Sequence, residues 1–295
     1  MAYETGGAAN RDALLQAIAV FAAAQGWTVH YNGNRTGTGA GLGTAIIISK
    51  GGQCPTTFKT HNTSRWIDIV GHDTYNAGLT TETQTNSSSI SRANEINGPL
   101  QAYHLFAGET YLYCVAEVTA GVFSHFGCGQ LETFGSITPN HFVYGLNWSR
   151  SLSPNYAGSA TSSYHNVPQD GNDANSSSTP STSLRIDYDA VTNRWNSTRS
   201  GLGFYPDARE TRLTRTSGYT QRATLAAPVW LVSRPDSLYS FVGITPNWRI
   251  ILLDWIAPGD NLTLGSDVWK VFPIIRRNGG AGEVNSGTYG YAYKT

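Results

Sequence analysis

The residues of this 295-residue chain best suited to chemistry are seven histidines, three cysteines and a few carboxylates, and their spacing argues against most catalytic uses. His30, His61, His72, His104, His125, His141 and His165 stand apart. None pairs with another at i+2 or i+4 and no His-Glu-x-x-His occurs, so the ligand spacing of a zinc site is missing. His125, set among Phe123, Ser124 and Phe126, reads as a satisfied core or interface histidine. Cys54, Cys114 and Cys128 form an odd set without metal-type spacing; buried free thiols are expected, with a Cys114–Cys128 disulfide as the alternative. There is no Gly-x-Ser-x-Gly elbow. Glu117 and Glu132 would make the carboxylate pair of a glycosidase if the fold brought them together. Two acidic stretches, Asp170 to Asp173 and Asp187 to Asp189, share part of the spacing of calcium loops but lack the glycine and distal glutamate of an EF-hand. Trp230, Trp248, Trp255 and Trp269 would line a carbohydrate site or fill a β core, and the core explains them better. The expectation is therefore no catalytic residue, no metal and no cofactor.

The elements that would position these groups are mostly strands. Glu109 to Val118 alternates Tyr111, Tyr113, Val115 and Glu117 on one face with Leu112, Cys114, Ala116 and Val118 on the other. Apolar residues on both faces predict a central strand covered on both sides. Val122 to Gly129 then alternates aromatic and small residues, a pattern that lets backbones approach closely. One helix is predicted over Ala8 to Gln25, with Asn10 as N-cap, Leu14, Leu15, Ile18, Phe21 and Ala22 on its buried face, and Gly26 ending it. Trp27 to Tyr31 reads as a strand entering an Asn32-Gly33 turn. The glycine-rich run Thr36 to Gly43 lacks the Gly-Lys-Ser/Thr of a phosphate loop and leads into a strand, so it reads as a connection.

Further strands are predicted at Thr44 to Ser49, around Cys54 to Phe58, at Arg65 to Val70 and at Leu184 to Tyr188, with a turn over Arg194 to Ser200. The last third adds Pro228 to Ser233, Leu238 to Ile244, Trp248 to Trp255 and Val268 to Ile275. The polar stretch at 71–91 reads as an exposed loop, and 149–183 as either a mobile surface excursion or an interaction loop ordered by a partner. The sum is a mainly β protein, a sandwich or barrel-like core with one N-terminal α-helix and long polar loops. The divisions expected are 1–148, a Ser/Asn-rich excursion at 149–183, and 184–295, with one core shared by the two β regions as the alternative.

Composition narrows the function classes. Charged residues are 14% of the chain, well below the roughly 25% usual in soluble domains. Gly, Tyr, Trp, Ser, Thr and Asn replace them, which suits surfaces in contact with other subunits. The 20 basic and 20 acidic residues cancel, leaving no electrostatic footprint for nucleic acid or an anionic membrane. Neither a signal peptide nor a run of eighteen apolar residues is present, so synthesis in a cytoplasm is expected.

The order of motifs resembles a loosely defined group of structural proteins of tailed bacteriophages. The residues that carry the resemblance are the helix from Arg11 to Trp27, the Ser-His-Phe-Gly-x-Gly segment at Ser124 to Gly135, Trp-x-Val-Phe-Pro at Trp269 to Pro273, and the Tyr/Gly-rich Gly287 to Lys294. The resemblance implies a virion component of the neck, tail or baseplate and transfers no catalytic residue. A non-enzymatic ring or collar subunit is thus expected, made in a bacterial host and partnered by copies of itself and other virion proteins. Capsid decoration and a glycan-binding or glycan-cleaving tail protein are the alternatives. The residues expected to build its core and interfaces are Phe123, His125, Phe126, Phe134, Trp269, Phe272, Tyr289 and Tyr291, with the helix and the Tyr/Gly-rich tail placed to dock on neighbours.

Overall fold

The computed structural model describes residues 1–37, 42–88, 90–93, 96–134, 140–145, 185–187, 195–197, 202–205, 226–233, 240–253, 256–274, 276 and 289–295. These residues form a mainly β protein with one α-helix and three antiparallel sheets. The first sheet joins, in spatial order, β1 (Ala2–Ala8), β7 (Leu100–Ala107), β8 (Tyr111–Thr119), β9 (Val122–Gln130), β11 (His141–Gly145), β12 (Arg185–Asp187) and β13 (Trp195–Ser197). The second runs β14 (Leu202–Tyr205), β15 (Ala226–Ser233), β16 (Ser240–Leu252), β19 (Tyr289–Lys294), β18 (Asp267–Pro273) and β17 (Asn261–Leu264), with the short β10 (Glu132–Thr133) pairing β16. The third is β2 (Thr28–Asn34), β3 (Leu42–Lys50), β4 (Gln53–His61), β5 (Ile67–Gly71) and β6 (Ser91–Ala93).

The first sheet lies between the other two. On one face of β8, Tyr113 meets Trp248 and Tyr293 of the second sheet, with ring centroids 5.8 and 5.6 Å away. Towards the other side, Phe126 of β9 meets Phe58 of the third sheet at 6.0 Å. The alternation read in β8 is therefore a strand covered on both faces, and every residue from Tyr111 to Ala116 is buried. Helix α1 (Arg11–Ala24) packs on β1, β2, β3, β4 and β7 and buries Leu14, Leu15, Ile18, Ala19, Phe21 and Ala22. One continuous cluster of buried side chains takes in α1, all three sheets and residues from both ends of the chain, including Tyr103, Trp248 and Tyr293.

Several boundaries differ from the sequence reading. The helix starts at Arg11, capped by the Asn10 side chain on the Ala13 amide at 2.8 Å, because Ala2–Ala8 is taken up as an edge strand paired with β7. Asn32-Gly33 makes no turn; β2 continues through it, pairing with Ile46 and Ala45. Leu238 to Ile244 and Trp248 to Trp255 are not two strands, since β16 runs unbroken from Ser240 to Leu252. Its Pro246 leaves a carbonyl that accepts the Tyr113 hydroxyl at 2.9 Å, and Asn247 takes the left-handed conformation at φ 53°. The turn predicted at Arg194 to Ser200 contains β13. The Tyr/Gly-rich tail is not an arm: β19 inserts between β16 and β18, burying Tyr291, Ala292 and Tyr293. The helix, likewise, rests on the chain's own sheets. The excursion at 149–183 and residues 38–41 of the glycine-rich run lie outside the described residues.

Close approach explains the small residues of β9. A Cβ on Gly127 would fall 2.4 Å from the Leu112 carbonyl oxygen, whereas one on Gly7 would meet nothing within 4 Å. We expect Gly127→Ala to lower unfolding free energy by about 1–3 kcal/mol, as overpacking against immobile backbone does. Gly7→Ala should stay within about 0.5 kcal/mol of wild type. Urea denaturation of the two variants checks both; equal stabilities would contradict the packing account.

Candidate functional site

The densest polar chemistry lies on the face of the third sheet turned away from the main core. Side chains alternate along a strand, so Phe58 of β4, and Ile67 and Ile69 of β5, enter the core while Thr57, Lys59 and His61, and Asp68, point the other way. Residues 72–88 fold over this face as a flap. The loop is exposed over much of its length, as expected, at residues 76–79 and 85–87 among others, and it is also tied down, with Thr81, Gln84 and Ser88 buried and His72 bridged to Ser87.

Three histidines on this face pair with hydroxyl or carboxylate groups, the pairings from which nucleophilic catalysis is built. His61 Nε2 lies 2.8 Å from Asp68 Oδ2, and Arg92 Nε donates to Asp68 Oδ1 at 2.7 Å. His30 Nε2 lies 2.8 Å from Ser49 Oγ, under the stacked ring of Tyr75. His72 bridges Thr57 Oγ1 at 2.7 Å and Ser87 Oγ at 2.8 Å.

Proton inventory shows how two of these are committed. Arg35 Nη1 lies 3.1 Å from His61 Nδ1. A guanidinium only donates, so Nδ1 accepts and Nε2–H faces Asp68. Ser87 donates its own hydrogen to the Gln84 carbonyl at 2.7 Å; its oxygen therefore accepts from His72 Nδ1–H, and Thr57 donates to Nε2. Both nitrogens of each ring are engaged. Ser49 and Thr57 are fully buried, so neither hydroxyl meets a substrate. The arrangement works as a polar seam between sheet and flap.

The charges of the seam are equally closed. Glu82, on the flap, accepts from Arg35 Nε at 2.8 Å and from Lys59 Nζ at 2.6 Å. Burial alone would raise the Glu82 carboxyl, but hydrogen bonds from Arg35 and Lys59 outweigh it and hold it below its usual range. The Asp68 carboxyl, 1% exposed, is held low in the same way by His61 and Arg92 against the opposing pull of burial. Burial, helped by the Lys59 charge, pushes the His72 imidazole down to about 4. Arg92 also covers the Trp66 ring at 4.7 Å.

The residues singled out in the sequence lie elsewhere. Phe123, His125, Phe126, Trp269, Phe272 and Tyr291 are buried, Phe134 is 47% exposed, and Tyr289 opens β19 opposite Leu252. His125 joins two sheets: Nε2 donates to the Pro273 carbonyl and Nδ1 accepts from the Tyr293 hydroxyl, each at 2.9 Å. Glu117 and Glu132 stand towards opposite ends of the β8–β9 hairpin, more than six residues of strand apart, or over about 20 Å. That separation is too long for a carboxylate pair acting on one glycosidic bond. Glu117 accepts from the Gly121 amide at 2.7 Å within its own turn. Trp248 and Trp269 are buried side chains, Trp230 belongs to β15, and Trp255 lies outside the described residues. All three cysteines are buried thiols outside any disulfide; β8–β9 register sets Cys128 opposite Leu112 and Cys114 opposite Phe126, so the two thiols are not cross-strand partners. Of the acidic stretches, 170–173 lies outside the described residues and Asp187 ends β12; no group of three metal-ligating side chains occurs among the described residues.

Sequence reasoning missed the seam because its partners are distant along the chain, 47 residues apart for Arg35 and Glu82. The available signal was the alternation Thr57, Lys59, His61 in β4 and the acidic Asp68 in an apolar strand. No family model and no curated protein matches the chain.

Acid should weaken this structure. Burial, reinforced at His104 by the Lys270 charge, also brings His104, His125 and His141 down to about 4. Unfolded histidine titrates near 6.5, so between about 6.5 and 4 the unfolded chain binds protons that the folded chain refuses. Stability is then full above about pH 6.5 and falls as pH drops towards 4. The depressed Asp68 and Glu82 act in the same direction at still lower pH, losing their contribution as pH falls through their folded pKa values. Urea midpoints at pH 7, 5.5 and 4.5 should decline in that order, and less steeply in His72→Gln. A flat profile would contradict the assignment.

Proposed function

We propose that the protein is a non-enzymatic structural subunit of a tailed-phage virion, a ring or collar component of the neck, tail or baseplate. The observation that carries this reading is the closure of the polar seam: its histidines, hydroxyls and carboxylates engage one another between sheet and flap, a use of polar groups that favours rigidity over turnover. The motif order from Arg11 to Lys294 and the low charge content support the same reading.

A ring subunit also needs surfaces for self-association. Among the described residues, β1, β2 and β17 each pair on one side only, and their strands carry few charges. Such edges are the usual sites of strand addition between subunits. On this reading the partners are copies of the same chain and other virion proteins, and the protein is made in the bacterial host.

Quantitative mass spectrometry of purified virions tests the proposal. About three, six or twelve copies per particle are expected for a cyclic ring. Hundreds of copies would move the protein to capsid decoration or a tube, and absence from virions would overturn the structural role. Glu117→Gln and Glu132→Gln should leave any glycan-hydrolase activity of the particle unchanged; loss in either variant would reinstate the enzyme alternative.

A further inference from the structure

Arg35 and Lys59 bring two cations of the seam to one carboxylate. Their side chains are 5% and 7% exposed, and both contact the single carboxylate of Glu82, which is itself 23% exposed. The other carboxylates nearby are engaged elsewhere: Asp68 with His61 and Arg92, and Asp12 with the Thr60 hydroxyl at 2.5 Å. Two nearly buried cations facing one anion make a site whose vacancy would be costly, since an uncompensated buried charge is strongly destabilising.

The two halves of this contact belong to different parts of the fold. The cations are fixed by the sheet: Arg35 Nη1 donates to the Thr60 carbonyl at 2.8 Å, and the Arg35 amide donates to the Gly43 carbonyl at 2.9 Å. The carboxylate comes from the flap, no residue of which (72–88) joins either hydrophobic cluster. Polar bonds hold the flap down, among them the reciprocal Thr36–Thr81 pair at 3.1 and 3.0 Å and the His72 bridge. A cradle is also built for the incoming stem. Gly37, at φ 142°, would place a Cβ 2.9 Å from Glu82 Cγ, so the glycine leaves the passage open.

We propose that Arg35 and Lys59 form a carboxylate-binding site on the third sheet, filled in this conformation by Glu82 and open to a carboxylate from outside the chain. Each oxygen of the bound group takes one cation, with the Thr81 hydroxyl 3.4 Å from Oε1. That pattern, one cation to each oxygen, suits a planar carboxylate. The ligand is either a small free acid or an acidic side chain of another protein, and displacement of Glu82 releases the flap. This inference does not depend on the assembly role proposed above.

Chemical rescue tests it. Glu82→Ala should melt below wild type, and sodium propionate at roughly 0.1–0.5 M, enough to saturate a site of millimolar affinity, should restore most of the loss. Sodium chloride at matched ionic strength should not. Glu82→Gln, whose amide still fills the cradle, should gain nothing from propionate. A blocked Gly-Glu-Gly peptide compared with Gly-Gln-Gly separates the two sources: rescue by propionate alone assigns a free acid, and rescue by the glutamate peptide assigns an acidic side chain. Rescue by neither overturns the site. In the wild-type protein, hydrogen exchange at 72–88 should be faster in propionate than in chloride. Equal exchange in the two salts overturns the proposal even if Glu82→Ala does not fold.

Discussion

The contact of His125 with Tyr293 and Pro273 is the interaction on which the layered structure depends. It is fully buried and sits where the first and second sheets meet, against the rings of Tyr291 and Tyr293. A polar ring there is tolerable only if both nitrogens find partners, because an unsatisfied buried group costs roughly 1–3 kcal/mol. Tyr293 and the Pro273 carbonyl supply them. The Tyr144 hydroxyl extends the chain to Tyr293 at 3.4 Å. Directional bonds then specify the register of β18 and β19 against β9, where apolar packing alone would allow sliding.

The third sheet solves a different problem. One of its faces enters the core with α1, and the other carries Lys59, Asp68, the hydroxyl-bonded His30 and the carboxylate-bonded His61. Asp68 finds its partners in His61 and Arg92 of the sheet, Lys59 finds Glu82 of the flap, and the flap also lays Tyr75 on His30 and His72 on Thr57. The protein thus has an apolar interior between its first two sheets and a polar interior outside the third. Both are closed, by dispersion and aromatic contact in one case and by hydrogen bonds and ion pairs in the other. Protons act on both interiors, through His125 in the first and His72 in the second.

This division bears on the proposed assembly role. A subunit of a particle that persists outside a cell benefits from a core without reactive openings and from surfaces with little charge to desolvate at an interface. On the proposal above, an external carboxylate acts on the fold at the seam by displacing Glu82.

The sequence by itself determined the elements whose evidence is local. The helix face, the Asn10 cap, the doubly buried alternation of β8 and the need for small residues in β9 follow from periodicity and side-chain size, which neighbouring residues encode. Tertiary structure alone decided the rest. Edge strand β1, interrupted by Gly6 and Gly7, and central strand β19 did not declare themselves, and they exist because β7, β16 and β18 offer unpaired backbone. Pro246 did not break β16 because its carbonyl, not its missing amide, meets a partner. The scattered histidines gained their roles from residues tens of positions away, and a polar side chain carries no mark of its future partner. Periodicity records which face of a strand is apolar; only the packed chain decides what stands opposite the polar one.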